Sequence, residues 1–311
     1  MATDDIHPDL RAAGRWLPRG GIGPRTLGAV RLLAGLAGRR AADDVTVVPV
    51  GTVSVRVHGL DPDAPPRPAL LWIHGGGYVI GTAAQDDELC RDLAHRLGIV
   101  VAAVDYRLAP EHPFPTPLHD CHDALAWLAG RPGVDPARVA VGGASAGGGL
   151  AAALALLARD RGEVQVALQV LAYPMVDDRT ALRTDIDQRG FRLWNNRANR
   201  FGWSAYLGAQ PGSAGVDGLA APARHPDLAG VAPAWLGVGT LDLFHDEDLA
   251  YAARLEAAGV PCALDVVGGA YHGFDAVVPK AGVSRAFRSA QAAALEAALG
   301  VASPVSGDAA G

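Results

Sequence analysis

The sequence predicts an α/β fold in which helices cover both faces of a mostly parallel sheet. Short apolar segments alternate with helix-forming segments from about residue 45 to residue 267, which is typical of parallel strands that are buried on both faces. Hydrophobic residues make up 50% of the 311 positions, so the chain can bury one large core. A single α/β domain with an insertion is therefore favoured over two equal domains.

The order of the predicted elements divides the chain into a core and a cap. Helical patches at the N-terminus are interrupted by glycine and proline at residues 18–21 and 23–24. Strands are predicted at residues 45–50, 52–58 and 69–73. The alternation stops between residue 177 and about residue 227, where aromatic side chains stand in a polar, arginine-rich setting without a clear strand.

We interpret the interrupted segment as part of a helical cap. The predicted N-terminal part of the cap is at residues 1–42, and the cap insertion is at residues 177–227. The core is predicted in two pieces, at residues 43–176 and 228–302. Residues 303–311 are predicted to be a disordered tail. The alternative is an ordinary helical excursion whose aromatic residues pack on the core.

Residues 143–147, Gly143-Ala144-Ser145-Ala146-Gly147, form a G-x-S-x-G pentapeptide that makes Ser145 a candidate nucleophile. A β-branched strand precedes the pentapeptide and an alanine-rich helix former follows it, so a strand must turn into a helix at the serine. Small residues on both sides permit this turn, and the helix N-terminus favours developing negative charge. The pentapeptide alone is weak evidence, because the chain contains 39 glycines.

A glycine-rich segment, His74-Gly75-Gly76-Gly77-Tyr78, follows the strand at residues 69–73. Gly75 and Gly76 have no side chain to block a substrate oxygen, and Ala146 offers a further N–H directly after the nucleophile. Such donors stabilise the oxyanion of acyl transfer by about 3 to 4 kcal/mol each. A flexible turn and a phosphate-binding loop are alternatives, although no nucleotide-binding glycine motif opens the following helix.

Two further polar residues follow predicted strands at the edge where parallel sheets carry their ligands. Asp242 comes after the strand at residues 234–239 and is the candidate acid, with Asp246 as the fallback. His272 lies in a glycine-rich loop after the strand at residues 262–267 and is the candidate base. The order Ser145, Asp242, His272 is the nucleophile, acid, base order of an α/β-hydrolase and differs from the orders on two unrelated protease folds.

Five separated motifs resemble the hormone-sensitive-lipase-like group, bacterial family IV, of carboxylesterases in the α/β-hydrolase superfamily. They are His74-Gly75-Gly76-Gly77, the run from Asp105-Tyr106-Arg107 to Pro113-Phe114-Pro115, the serine pentapeptide, Tyr173-Pro174, and Tyr271-His272-Gly273-Phe274. The resemblance spans about residues 45 to 300. It implies an α/β-hydrolase core with a helical cap, no cofactor, and hydrolysis of esters with short or medium acyl chains.

The resemblance also assigns roles to individual residues. It implies that Ser145, Asp242 and His272 form a catalytic triad, and that Gly75, Gly76 and Ala146 form the oxyanion hole. One departure is plain, because the family usually has aspartate where Ala144 stands. The general turn tolerates any residue there, so we expect altered stability or substrate preference and not inactivity.

Aromatic residues of the cap and of the glycine-rich segment are candidates for the substrate pocket. Large apolar groups line most small-molecule pockets, and Tyr78, Trp194 and Trp203 are the candidates here. Structural packing is the alternative for the two tryptophans. A metal site is not expected, because the helix predicted at residues 118–129 leaves Asp120 and Asp123 exposed and shows no zinc-type spacing.

Three other functions are alternatives on the same fold. Acyl transfer and amide hydrolysis would use the same triad, because the fold does not fix the acceptor. A ligand receptor without catalytic activity would be expected to lack a triad member, and all three residue types are present. The most economical role for Asp105, Arg107 and Glu111 is a buried ion-pair network that holds their loop near His74.

Composition limits the partners and the location. The net charge is −6 and the basic residues are scattered, so no nucleic-acid partner is expected. We expect a cytoplasmic protein, because the three cysteines are widely spaced and the acidic N-terminus has no apolar signal region. We expect no membrane partner, because no apolar run is long enough to span a membrane. The expected ligand is a small-molecule ester, and the resemblance implies a homodimer through the sheet edge at residues 262–267.

Overall fold

The computed structural model describes residues 5–38 and 45–301, without the side chains of residues 34–38. The tail predicted at residues 303–311 and parts of the predicted N-terminal cap segment lie outside the described residues. Within the described part, the strands form one eight-stranded sheet. The strands are β1 Thr46–Val50, β2 Val53–His58, β3 Arg67–Ile73, β4 Val100–Asp105, β5 Val134–Ala144, β6 Val166–Ala172, β7 Ala234–Leu241 and β8 Cys262–Tyr271.

The sheet is mostly parallel, as the sequence predicts. Its strand order is β1-β2-β4-β3-β5-β6-β7-β8. β2 runs antiparallel to both of its neighbours, whereas β4, β3, β5, β6, β7 and β8 pair in parallel. The carboxyl ends of the parallel strands therefore meet at one edge of the sheet, where open α/β sheets bind their ligands.

Helices cover the sheet in two groups. α3 and α9 contact each other and the strands, and α4 and α5 form a second contacting pair, while α7 packs on β7 and β8. The helices are α1 Arg11–Gly14, α2 Leu27–Gly38, α3 Asp87–Leu97, α4 Thr116–Ala129, α5 Ala146–Arg161, α6 Asn196–Leu207, α7 His245–Ala257, α8 Phe274–Val277 and α9 Gly282–Leu299. The prediction of helices on both faces of a mostly parallel sheet is confirmed.

The central strands are buried along almost their whole length. β4, with the sequence Val-Val-Ala-Ala-Val-Asp, exposes only part of its final residue, Asp105. Continuous apolar strands of this kind are expected where helices cover both faces. The edge strand β8 is instead exposed or partly buried from Cys262 to Gly269, and only its last two residues are buried.

The segment from residue 177 to residue 227 contains α6 and two short 3-10 helices, at Asp178–Leu182 and Pro222–Arg224. None of its residues, all of which are described, belongs to a strand. Both ends of the segment are held by α7. Glu247 Oε1 accepts hydrogen bonds from the N–H groups of Val176 and Asp177, and the Arg254 guanidinium donates to the carbonyl groups of Ala223 and His225.

Two expectations about polar residues are wrong. Asp120 was expected to be exposed, but it is 1% exposed because its carboxylate accepts bonds from the guanidinium and the backbone N–H of Arg107. Asp105, Arg107 and Glu111 do not form one buried network. Asp105 accepts from the Ala83 N–H, and Glu111 pairs with Arg31 at the surface.

Candidate functional site

Ser145 stands alone between β5 and α5, in the tight turn that the pentapeptide predicts. Its φ of 57° and ψ of −122° belong to a strained backbone conformation, which costs on the order of 1–3 kcal/mol. A Cβ at position 147 would collide with the carbonyl oxygens of Ile73 and His74, and one at Gly143 would collide with the Gly147 carbonyl. Glycine is required at both positions because the chain passes so close to itself.

Ser145, Asp242 and His272 meet at the carboxyl edge of the sheet. His272 Nε2 lies 2.9 Å from Ser145 Oγ, and His272 Nδ1 lies 2.8 Å from Asp242 Oδ2. All three side chains are buried. Because a carboxylate only accepts hydrogen bonds, the contact fixes the proton on Nδ1 and leaves Nε2 free to accept the serine proton. The fallback residue Asp246 instead pairs with Arg183 and His245 at the surface.

Neighbouring groups hold the triad in this arrangement. Asp242 Oδ1 accepts a hydrogen bond from the Phe244 N–H. The rings of Tyr173 and Phe244 each contact the His272 ring edge-to-face, with centroids 4.9 Å and 5.3 Å away. Tyr173 OH in turn donates to Asp275. The imidazole is therefore held both by its carboxylate partner and by aromatic contacts.

Three backbone N–H groups near Ser145 have no hydrogen-bond acceptor among the described residues: those of Gly75, Gly76 and Ala146. Gly75 and Gly76 line the same cavity as Ser145, and Ala146 begins α5. Burial lowers the pKa of His74, so its imidazole is neutral. His74 Nδ1 lies 2.8 Å from the Gly75 carbonyl oxygen, which belongs to the same peptide unit as the Gly76 N–H.

A cavity of about 430 Å³ opens at Ser145 and His272. Its walls combine segments that are far apart in the sequence, including Ile22 and Val30 near the N-terminus and Leu193 and Trp194 from residues 177–227. Trp194 thus lines the cavity, as one of the three predicted aromatic residues. Tyr78 and Trp203 do not, because they are buried against each other and Tyr206.

Ile22, Val30 and Leu193 were not among the predicted pocket residues. No local pattern distinguishes Ile22, Val30 or Leu193 from ordinary core residues, because the cavity exists only where separate segments come together. Asp86 was missed as well, although it directly precedes α3 and lines the cavity. An acidic residue in a first helical turn is usually explained by the helix dipole, so the sequence alone gives no signal for it.

Asp86 lies next to the position at which the chain departs from its family. Asp86 and Ala144 both line the Ser145 cavity, and both also line a smaller cavity of about 80 Å³. The Asp86 carboxylate accepts a hydrogen bond of 2.9 Å from the Trp72 indole N–H. Burial, with a smaller contribution from the charge of Asp275, raises the pKa of Asp86 to about 7. An acidic group is therefore present beside Ala144.

The described residues contain no group of three or more histidine, cysteine, aspartate or glutamate side chains arranged to hold a metal ion. In the same part of the chain, no helix is both long enough and apolar enough to cross a membrane.

Residues 70–276 match a protein family described by its alpha/beta hydrolase fold. The chain is 35% identical over 290 residues to Esterase LipI of Mycobacterium tuberculosis, a match that covers 90% of this chain and 86% of that protein. It is 38% identical over 229 residues to Ethyl acetate hydrolase of Pseudomonas putida, covering 72% of this chain and 71% of that protein.

Solved structures give the same result. A bacterial heroin esterase superimposes with a TM-score of 0.86 at 37% identity, covering 96% of this chain and 99% of that one. An esterase of Pyrobaculum calidifontis superimposes with a TM-score of 0.79 at 32% identity, covering 96% of this chain and 100% of that one. The chain therefore belongs to the alpha/beta hydrolases, within the hormone-sensitive-lipase-like group of carboxylesterases that its motifs resemble.

Proposed function

We propose that this protein hydrolyses carboxylic esters with short to medium acyl chains, through an acyl-enzyme formed on Ser145. One observation carries the proposal: an unbroken line of hydrogen bonds from Asp242 through His272 to Ser145 ends at a largely apolar cavity. The names of the relatives, which are esterases and ester hydrolases, support the same reaction type.

In the proposed mechanism, His272 acts first as a base and then as an acid. Its Nε2 accepts the Ser145 hydroxyl proton as Oγ attacks the ester carbonyl carbon, and the imidazolium then donates that proton to the leaving alcohol. Asp242 holds the imidazole in the required tautomer and stabilises its positive charge. Water repeats the sequence on the acyl-enzyme and releases the acid, which regenerates the Ser145 hydroxyl.

The oxyanion formed in each step would accept hydrogen bonds from the N–H groups of Gly75, Gly76 and Ala146. These donors are in place before the reaction, so no reorganisation is needed when the charge develops. Ala146 begins α5, so its N–H adds the favourable field of a helix N-terminus. A ligand receptor would have no need for these free donors opposite a hydrogen-bonded serine.

We also propose that the described parts of residues 1–42, together with residues 177–227, act as a cap over Ser145. Support comes from Ile22 and Trp194, which belong to these two segments and line the cavity that contains the serine. The cavity volume of about 430 Å³ suits a small ester. A homodimer and a cytoplasmic location, both expected from the sequence, stay predictions.

The function is tested by hydrolysis of p-nitrophenyl esters from acetate to decanoate, with the intact protein and with Ser145→Ala. We expect turnover that is highest for short or medium chains and is lost in Ser145→Ala. Ser213→Ala, which changes an exposed serine remote from the cavity, is the matched control and should retain activity. Turnover that survives Ser145→Ala, or no turnover of any ester by a folded protein, would refute the proposal.

A further inference from the structure

A second cavity, of about 760 Å³, shares part of its lining with the Ser145 cavity. It is lined by the loop of residues 19–26 and by Asn195 and Arg197. Gly20, Gly21 and Ile22 line both cavities. The second cavity, named the outer cavity here, is therefore adjacent to the Ser145 cavity.

Among the described residues, the charged side chains that line the outer cavity are all positive. They are Arg19, Arg25 and Arg197, and no described aspartate or glutamate lines it. Within the described residues, these three guanidinium groups form neither an ion pair nor a hydrogen bond. Several other arginines do have carboxylate partners; examples are the pairs Arg56–Asp87, Arg107–Asp120, Arg183–Asp185 and Arg224–Asp178.

A fourth arginine strengthens the positive field. Arg192 is 3% exposed and donates hydrogen bonds to backbone carbonyl groups, among them those of Gly14 and Phe191. Burial, and then the nearby charge of Arg19, lowers the pKa of Arg192. Because no carboxylate of the described residues contacts it, this buried cation adds to the field instead of being neutralised.

The wall of the Ser145 cavity has the opposite character at Asp86. Asp86 lines the wall near Ser145, and its carboxyl group is partly ionised at neutral pH because burial raises its pKa to about 7. An anionic group would be repelled near Asp86 and attracted to the outer cavity. The charge distribution thus favours one orientation of a substrate that carries an anion at one end.

We propose that Arg19, Arg25 and Arg197 bind an anionic group, a carboxylate or a phosphate, at the end of the substrate that is remote from the ester bond. This inference rests on the proposed esterase function and names the substrate class for the same site. A guanidinium offers a planar pair of donors that matches both anions, and it stays charged at every working pH. The apolar cavity between would hold the intervening chain.

The test compares pairs of substrates that differ only in the remote charge. Mono-p-nitrophenyl esters of adipate, suberate and sebacate carry a terminal carboxylate, and p-nitrophenyl hexanoate, octanoate and decanoate are their uncharged counterparts. The readout is the ratio of kcat/KM for the charged ester to kcat/KM for the uncharged one. This ratio cancels effects that act on the triad alone.

The test variant is Arg19→Gln/Arg25→Gln/Arg197→Gln. Its matched control is Arg15→Gln/Arg189→Gln/Arg285→Gln, which removes the same net charge from exposed arginines that line neither cavity. We expect the ratio to fall about tenfold in the test variant, mainly through KM, and to change little in the control. In the unmodified protein, about 0.5 M salt should lower the ratio by screening the exposed charges.

The outcomes separate the two proposals. A ratio that is equal in the unmodified protein, the test variant and the control, and is insensitive to salt, would overturn the anion site while leaving the esterase intact. Failure of every ester, charged or uncharged, would instead overturn the esterase function. Inhibition of p-nitrophenyl hexanoate hydrolysis by adipate or by monohexyl phosphate, each compared with hexanol, identifies which anion the arginines prefer.

Discussion

At the scale of single residues, His74 determines how the glycine-rich loop presents its donors. Its imidazole is buried, neutral and stacked on Tyr106 with ring centroids 4.2 Å apart. The Nδ1 proton is donated to the Gly75 carbonyl oxygen. Since a trans peptide directs its N–H away from its C=O, this bond orients the Gly76 N–H, which we place in the oxyanion hole. His74 is therefore a positioning residue.

We predict that His74→Gln lowers kcat for p-nitrophenyl esters by about tenfold to a hundredfold, with a smaller change in KM. The reason is that a misaligned donor loses more of its stabilisation of the transition state than of its stabilisation of the bound ester. Steady-state kinetics of His74→Gln measure this, beside His119→Gln, which changes an exposed histidine of α4. Equal kcat in the two variants would contradict the prediction.

Asp86 gives a prediction about stability. The pKa of Asp86 is about 7 in the folded chain, well above the value of about 4 that an unfolded aspartate has. The folded state thus binds the proton more tightly, so this group's contribution to stability is present below about pH 4 and is lost as the pH rises to about 7. Above that range, the ionised carboxylate is a net cost to the fold.

Asp86→Asn should therefore raise the melting temperature at pH 8 and have much less effect at pH 5. The amide oxygen keeps an acceptor for the Trp72 indole, and the expected gain at pH 8 is about 2 to 4 kcal/mol. Thermal unfolding at both pH values checks this, with Glu88→Gln as the control because that neighbouring acid is exposed. A lower melting temperature at pH 8 would show that the ionised Asp86 is stabilised by its surroundings.

At the scale of elements, the sequence predicts that three candidate side chains lie close together, because each of these residues directly follows a strand. Ser145 follows β5, Asp242 follows β7, and His272 follows β8. In a parallel sheet these ends lie at one edge, so strand prediction alone places the three side chains near one another. The backbone angles of Ser145 follow equally from the requirement to turn a strand into a helix at once.

The contact that anchors residues 177–227 to α7 cannot be predicted from local sequence patterns. A run of acids at the start of α7 is expected from the helix dipole, yet Glu247 is buried and binds two backbone N–H groups where this segment begins. Burial raises the pKa of Glu247 well above the ordinary value. Its role depends on the chain after β6, which is about seventy residues away in the sequence.

Glu247→Ala should destabilise the protein by about 2 to 4 kcal/mol, because two buried N–H groups lose their acceptor. The expected result in urea is a lower midpoint of unfolding, accompanied by faster proteolysis within residues 177–227 if the cap loosens first. Glu256→Ala is the control, since Glu256 is an exposed acid on the same helix. Similar midpoints for the two variants would contradict the proposed anchor.

At the scale of the whole molecule, the parts that the sequence did not predict are contacts between distant segments. Tyr78 and Trp203 are typical aromatic pocket candidates, but they fill the space between the glycine-rich loop and α6. Asp120 was assigned to a solvent-exposed helix face, and the partner that explains its burial, Arg107, belongs to a preceding loop. Periodicity within one element carries no information about such partners.

The edge strand β8 supplies the last prediction. β8 ends the sheet order, so one of its sides has no strand partner within the described chain, and Leu264 and Val266 are 44% and 41% exposed there. Exposed apolar edges tend to pair, and two copies of β8 related by a two-fold axis would extend the sheet in an antiparallel manner. The family resemblance implies a homodimer through this same edge.

We predict that light scattering at working concentration gives the mass of a dimer, and that Leu264→Lys/Val266→Lys gives the mass of a monomer that is still folded. Lysine blocks strand pairing at an edge by charge repulsion and by the cost of desolvating its ammonium group. Val47→Lys provides the matched control, because Val47 is 49% exposed on β1 at the opposite edge of the sheet. A dimer that dissociates only in the Val47 variant would assign the interface to β1, and a monomeric unmodified protein would remove the dimer altogether.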